Sequence, residues 1–254
     1  MTRPLVLVGA GGFARETAEL VRAVNDVCPT WDLLGYLDDA PALNGATVSG
    51  LPVLGGLDHL DEHPDAAVVV CIGNPGNYVA RAKVVARLGL PADRYATLVH
   101  PTAVVPRSAR LGVGTVVHAT TVLTCDVTVG AHVAIMPAVV LTHDDVVGDF
   151  ATFGAGVRLA GATVIETGAY IGAGALVREH LTVGAWSMVG MGSVVTRSIP
   201  TGEVWMGSPA RYLRDAPVLH PVVVDHVAVD HVAVRPAVPA LVMTTGARSL
   251  EGPQ

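Results

Sequence analysis

A histidine followed by two carboxylates, His143-Asp144-Asp145, interrupts a stretch of small and apolar residues running from Val139 to Gly148. An imidazole beside a carboxylate is equipped to act as a general base, because the carboxylate fixes its tautomer and stabilises the imidazolium that forms. A second place where chemistry could occur lies near the N-terminus, where Gly9-Ala10-Gly11-Gly12 follows the apolar run Leu5 to Val8. A glycine turn leading into a helix presents free backbone N–H groups and the positive end of a helix dipole to a phosphate. The spacing falls short of the full dinucleotide fingerprint, so a tight turn without a ligand is the competing reading. Asp38-Asp39 and Gly73-Asn74 close two further apolar runs and belong to the same neighbourhood if those runs are parallel strands.

The elements that must position His143 are announced by a period. Every sixth residue from Val105 to Val195 is Leu, Ile, Val or Phe. With 51% of the chain hydrophobic, sixteen successes in a row would arise by chance at roughly 2 × 10⁻⁵ per register. A period of six fits neither a helix nor an alternating strand, but it fits a triangular coil of short strands with one axial residue per side. Three hexads make a coil of eighteen residues, and about five such coils would stack at the parallel-strand spacing of about 4.8 Å. Glycines that follow axial positions (Gly112, Gly130, Gly148, Gly154, Gly172, Gly184, Gly190) suit corners needing tight or positive-φ backbone. The eighteen-residue ruler also places Cys125, His143 and Gly161 in one column, so the Gly161 N–H could hold an oxyanion close to the imidazole. A solvated corner histidine is the alternative. His100 and His118 share another column near the entry to the coil, and His132 and His180 read as surface corner residues.

Residues 1–98 read as an α/β unit, with strands at Pro4–Val8, Leu33–Leu37 and Ala66–Ile72 and helices at Phe13–Val24 and Tyr78–Leu88. Alternation of this kind implies a parallel sheet with its binding crevice at the strand C-termini. Residues 99–214 form the β-helix. Residues 215–254 read as an extended arm rich in valine and proline; its Asp225-His226 and Asp230-His231 doublets lack anything that would fix a metal geometry. The net charge of −6 argues against nucleic acid or an anionic membrane as principal partner. Cys28, Cys71 and Cys125 show no disulfide spacing, and no signal pattern or run of eighteen apolar residues occurs, so a cytoplasmic protein is expected.

The run Val189 to Gly202, V-G-x-G-S-V-V-T-R-x-I-P-x-G, followed by Gly207-Ser208-Pro209-Ala210-Arg211, resembles the ending of hexapeptide-repeat acyltransferases. With the G-A-G-G turn, L-D-D at 37–39, I-G-N at 72–74, His100-Pro101 and His143-Asp144, residues 4–214 resemble sugar acetyltransferases of the sialic-acid O-acetyltransferase and nucleotide-aminosugar N-acetyltransferase type. The resemblance implies a Rossmann-like domain joined to a left-handed β-helix, a homotrimer with active sites between subunits, acetyl-coenzyme A as cosubstrate and no metal. It implies His143 as base, Asp144 as its orienting group and Gly161 as backbone donor to the thioester carbonyl. Coenzyme would contact Gly161, Ala173, Gly190, Arg197, Gly207, Pro209 and Arg211. A nucleotide-sugar acceptor would contact Gly9, Gly11, Gly12, Asp38, Asp39, Gly73, Asn74 and Arg81.

Two positions depart from that pattern. Met136 stands where relatives often carry Asn, and Thr152 where a second histidine is common; the apolar Met136 suits a less polar acceptor or a longer acyl chain. Transfer to an amine is the leading expectation, and transfer to a sugar or natural-product hydroxyl is the alternative within the class. A non-catalytic β-helix binding protein is the alternative outside it. A zinc hydratase on the same scaffold would need three converging histidines, and His118, His132, His143 and His180 contain no close pair.

Overall fold

The computed structural model describes residues 2–216. Strand β1 (Arg3–Val8) lies inside a parallel arrangement, flanked by β2 (Trp31–Leu37) and by the third central strand, Ala67–Val70. Leu5 to Val8 are fully buried, as a strand covered on both faces must be. Helix α1 (Gly12–Val27) packs Ala14, Ala18 and Val21 against Leu5 and Leu7, while α2 (Ala80–Leu88) packs Ala82 and Val85 against Val6 and Val8. Alternate residues of β1 therefore serve opposite layers. Helix α1 runs three residues beyond the expected Val24, and Asn25 near its end bonds to the backbone of Thr30 and Trp31, which anchors the chain's entry into β2. A short antiparallel pair, Thr47–Val48 with Leu51–Gly55, adds the sheet edge on the β2 side. Its first strand has two residues, too few for a period to register in sequence.

From Arg110–Leu111 to Val194–Val195 the chain forms two-residue strands whose partners stand eighteen residues away in each direction, as with Thr128 against Arg110 and Val146. Three parallel faces result. The first begins at Arg110–Leu111, the second at Val116–Val117 and the third at Val122–Leu123. The axial residues from Leu111 to Val195 all lie in one buried core, and Val105 packs against it half-buried at the open end. The entry strand Leu98–Val99 pairs with Val116–Val117, and the C-terminal hairpin Glu203–Gly207/Ala210–Asp215 closes the other end of that second face. The α/β unit rests on the same face, since Val116 belongs to the core of α1.

The corner glycines serve a purpose other than the one their positions suggest. Positive φ occurs three residues after each axial position from Leu111 to Val189, at Gly114, Thr120, Asp126, His132, Ala138, Asp144 and onward. The glycines directly after axial residues have no such φ. Instead, a methyl group on Gly112, Gly148, Gly154 or Gly172 would collide with backbone atoms of the next coil. They are required by the close stacking of coils.

Candidate active site

His143 stands at the corner between the third and first faces, opposite the face that carries the α/β unit. Its Nδ1 lies 2.9 Å from Asp144 Oδ2. An ionised carboxylate can only accept, so Nδ1 carries the hydrogen and Nε2 presents a lone pair. Both side chains are open to solvent, at 60% and 62% exposure. Asp144 reaches the imidazole from a left-handed backbone with φ of 63°, the conformation every corner demands at that step. The imidazole leans on Gly161 of the next coil, where a methyl group would overlap Cε1 and Nε2. The N–H of Gly161 takes no acceptor among the described residues, as at most equivalent corners; those of Ala131 and Ala185 are the ones taken up, by Asp149 and Glu166. Candidate base and candidate oxyanion donor are thus adjacent.

The sequence names Asp145 beside His143 but assigns it no role. At the fourth place after an axial residue the coils carry Thr115, Thr121, Val127, Val133, Val139, Ala151, Val157, Thr163 and other uncharged residues, so an ionisable side chain there was the available signal. Asp145 is fully buried and accepts from Thr142 N at 2.7 Å and Thr163 N at 2.9 Å. Burial pushes its carboxyl up to about 6, against the two backbone N–H groups that favour the charged form.

The expected acceptor residues Gly9, Gly11, Gly12, Asp38, Asp39, Gly73 and Asn74 all line one cleft of about 530 Å³ at the C-terminal end of the central strands. The two carboxylates are already engaged. Asp38 accepts from Ala10 N at 2.8 Å and Ala40 N at 2.9 Å, and Asp39 accepts from Leu57 N at 2.9 Å and Arg87 at 2.6 Å. They shape the glycine turn and the cleft wall. Arg81 does not line the cleft. It is 2% exposed and donates to the carbonyls of Ile72, Phe150 and Ala151 and to Thr152 Oγ1 at 2.7–3.0 Å. Without a carboxylate partner, burial pulls it down to about 10. It therefore joins the α/β unit to the coils, a role that a single helix pattern in sequence does not reveal.

A smaller cleft of about 300 Å³ continues from the first past Gly12, Phe13 and Gly73 and reaches the second face. Met136, Thr152, Tyr170 and Ala173 wall it, with Glu16 at its edge. Ala173, expected at the coenzyme, thus faces this cleft. Among the other expected coenzyme residues, Gly190 packs under Met206, and Gly207 N donates to Ser193 Oγ at 3.1 Å beside the cis Ser208–Pro209 bond. Arg197 and Arg211 are exposed. His132 is not the surface residue expected: it is 2% exposed, stacked on Phe150 and edge-on to Tyr95, and burial with Arg81 nearby pulls it down to about 3. His118 is likewise buried, against Phe13, and burial with His100 nearby pulls it down to about 4. Among the described residues no cluster of histidine, cysteine and carboxylate groups could hold a metal. The arm from 217 onward, with its Asp-His doublets, lies outside the described residues.

Residues 4–88 match the model of the PglD N-terminal domain. The acetyltransferase domain of PglB from Neisseria gonorrhoeae, solved with acetyl coenzyme A, is 30% identical, covers 84% of this chain and 100% of its own, and superposes with a TM-score of 0.73. This chain belongs to the hexapeptide-repeat sugar N-acetyltransferases. Its coils accordingly form a left-handed β-helix. A further member, PerB from Caulobacter crescentus in complex with CoA and GDP-perosamine, is 30% identical over 83% of this chain and 97% of its own, with a TM-score of 0.72. The UDP-N-acetylbacillosamine N-acetyltransferase of Bacillus subtilis is 35% identical over 115 residues, 44% of this chain; the chain spans about half, 49%, of that curated relative. In this N-acetyltransferase fold, His143, Asp144 and Gly161 line neither cleft of their own chain.

Proposed function

We propose that the chain transfers the acetyl group of acetyl-coenzyme A to the amine of a nucleotide-linked aminodeoxysugar. The observation that carries this reading is the His143 corner, an imidazole oriented by Asp144 and resting on a glycine whose N–H is unengaged. The nucleotide belongs in the larger cleft of residues 1–98, its phosphates against the backbone of Gly11 and Gly12 at the N-terminus of α1, with Gly9, Asp38, Asp39, Gly73 and Asn74 around it. The sugar passes Phe13 into the smaller cleft.

Residues 99–214 supply the chemistry. Acetyl-coenzyme A contributes an activated thioester, whose carbonyl carbon the amine attacks. His143 Nε2 takes the proton released as the C–N bond forms, Asp144 steadies the imidazolium, and the Gly161 N–H faces the developing oxyanion. The C–S bond then breaks, and the imidazolium returns its proton to the departing thiolate. Gly190, Gly207, Pro209, Arg197 and Arg211 form the coenzyme's groove, the arginines toward its phosphates, with Ala173 at the meeting point of groove and sugar cleft. Because His143 sits at the corner opposite the clefted face, the base must come from another copy, which makes a homotrimer with active sites between subunits the working assembly. The three thiols, none in a disulfide, suit a cytoplasmic enzyme.

His143→Ala tests the reading against thiol release from acetyl-coenzyme A with amino-sugar nucleotides. A loss of about 10²–10⁴-fold in kcat with unchanged folding is expected for a general base. Turnover unaffected by the substitution would refute it.

A further inference from the structure

We infer that Asp145 is the positioning residue that sets His143 against Gly161, an inference that rests on the reading of the His143 corner just given. Three observations carry it. First, Asp145 replaces a ladder bond. One coil earlier Thr124 N donates to Leu141 O, and one coil later Ala160 N donates to Val177 O. By that rule Thr142 N should donate to Leu159 O. It donates to Asp145 Oδ2 instead, Leu159 O accepts from the Thr142 hydroxyl at 3.1 Å, and the Leu141–Leu159 pair is missing from a ladder that elsewhere pairs both residues of each strand. The backbone immediately before His143 is therefore held by a side chain.

Second, the same carboxylate bridges two coils. Its Oδ1 accepts from Thr163 N at 2.9 Å, two residues beyond Gly161. One rigid, fully buried group thus ties the corner carrying the base to the corner carrying the oxyanion donor. Third, the placement is unnecessary for folding the coil. Val127, Val133, Val139 and Val157 fill the equivalent place in other coils and are buried at 0–1% exposure. A charge in that place is costly unless fully bonded, and here it is bonded at the corner whose backbone must differ from the repeat.

The decisive variant is Asp145→Val, which makes this coil like its neighbours and frees Thr142 N to take Leu159 O from the Thr142 hydroxyl. The folded protein should melt no lower than the natural one. Its kcat should fall about 10–100-fold, while KM for acetyl-coenzyme A and for the amino-sugar nucleotide stay within about twofold, because misplacing a catalytic group by about 1 Å costs of that order. Introduced into His143→Ala, the same change should have no further effect, since Asp145 acts only through the base. A kcat within twofold of the natural enzyme would overturn the assignment, as would an equal fall in both backgrounds. Should Asp145→Val unfold, Asp145→Asn, which keeps one acceptor, substitutes for it with the same two outcomes. An inactive natural enzyme would refute the transferase reading itself, whereas an active one insensitive to position 145 refutes only this inference.

Discussion

Gly161→Ala separates the geometry of the base from the stability of the fold. The backbone of Gly161 is outside the positive-φ region, so alanine can adopt it. Its methyl group, however, would overlap Cε1 and Nε2 of His143 and lie 3.0 Å from Cδ2. The obstructed group is the far end of a side chain that is 60% exposed, so it can swing outward without disturbing the core. The stability change should stay within about 0.5 kcal/mol, the usual range for a surface substitution, with the lost freedom of the unfolded glycine acting in its favour. Restoring contact distance requires the ring to retreat by about 1 Å, and a displacement of that size costs about 10²-fold in rate, or about 2.7 kcal/mol of activation free energy. Steady-state kcat from thiol release and the midpoint of thermal unfolding measure the two sides. A kcat within threefold of the natural enzyme would refute the claim that the imidazole works from its position over Gly161, and so would a rate loss explained by unfolding.

Acidification should destabilise the junction between the α/β unit and the coils. His132 and His118, held down to about 3 and 4, stay neutral in the fold while the unfolded chain takes up protons below about 6.5. Stability is thus lost as pH falls from about 6.5 to 5, by about 1.6 kcal/mol per histidine, with Asp145 returning about 1 kcal/mol because its raised carboxyl works in the opposite sense. Chemical denaturation at the two pH values should show a net loss of about 2 kcal/mol, reduced to about 0.5 kcal/mol in His132→Phe; a flat profile would contradict the burial of both rings. Thr152→Val removes a hydroxyl that already accepts from Arg81 and so has its own hydrogen to offer the smaller cleft. KM for the amino-sugar nucleotide should rise about tenfold, worth about 1.4 kcal/mol, with KM for acetyl-coenzyme A steady and Thr152→Ser close to the natural enzyme. A shift confined to the coenzyme would assign the hydroxyl to the other substrate.

The six-residue period made the coils legible because every axial residue from Leu111 to Val195 obeys the same packing demand. It also made the Cys125-His143-Gly161 column legible, since a constant period converts sequence separation into height along the prism. Two kinds of information were beyond its reach. The role of Arg81 depends on where carbonyls of Phe150 and Ala151 meet a helix seventy residues earlier, and no local pattern encodes that meeting. The burial of His132 depends on Tyr95 and Phe150 arriving from different parts of the chain. The roles of the corner glycines were misjudged for a related reason: the period located the corners but could not distinguish a backbone that needs positive φ from one that needs room for the next coil.

A coil built from two-residue strands leaves few places for chemistry. Axial side chains are committed to the core, and outward strand residues are available for packing against other elements, as Val116 is against the α/β unit. Among the described residues of the coil, the corners combine exposed side chains with unengaged N–H groups, and the scaffold repeats them many times over. What distinguishes one corner is a set of departures from the repeat: a histidine beside a carboxylate, a glycine one coil on where the imidazole can lie, and a buried aspartate in a place otherwise filled by uncharged residues. The last two would be defects in a purely structural coil, because the glycine gives up a methyl group and the aspartate gives up a ladder bond and a dry core position. Their convergence within two adjacent corners is the physical support for placing the proposed base at this part of the prism.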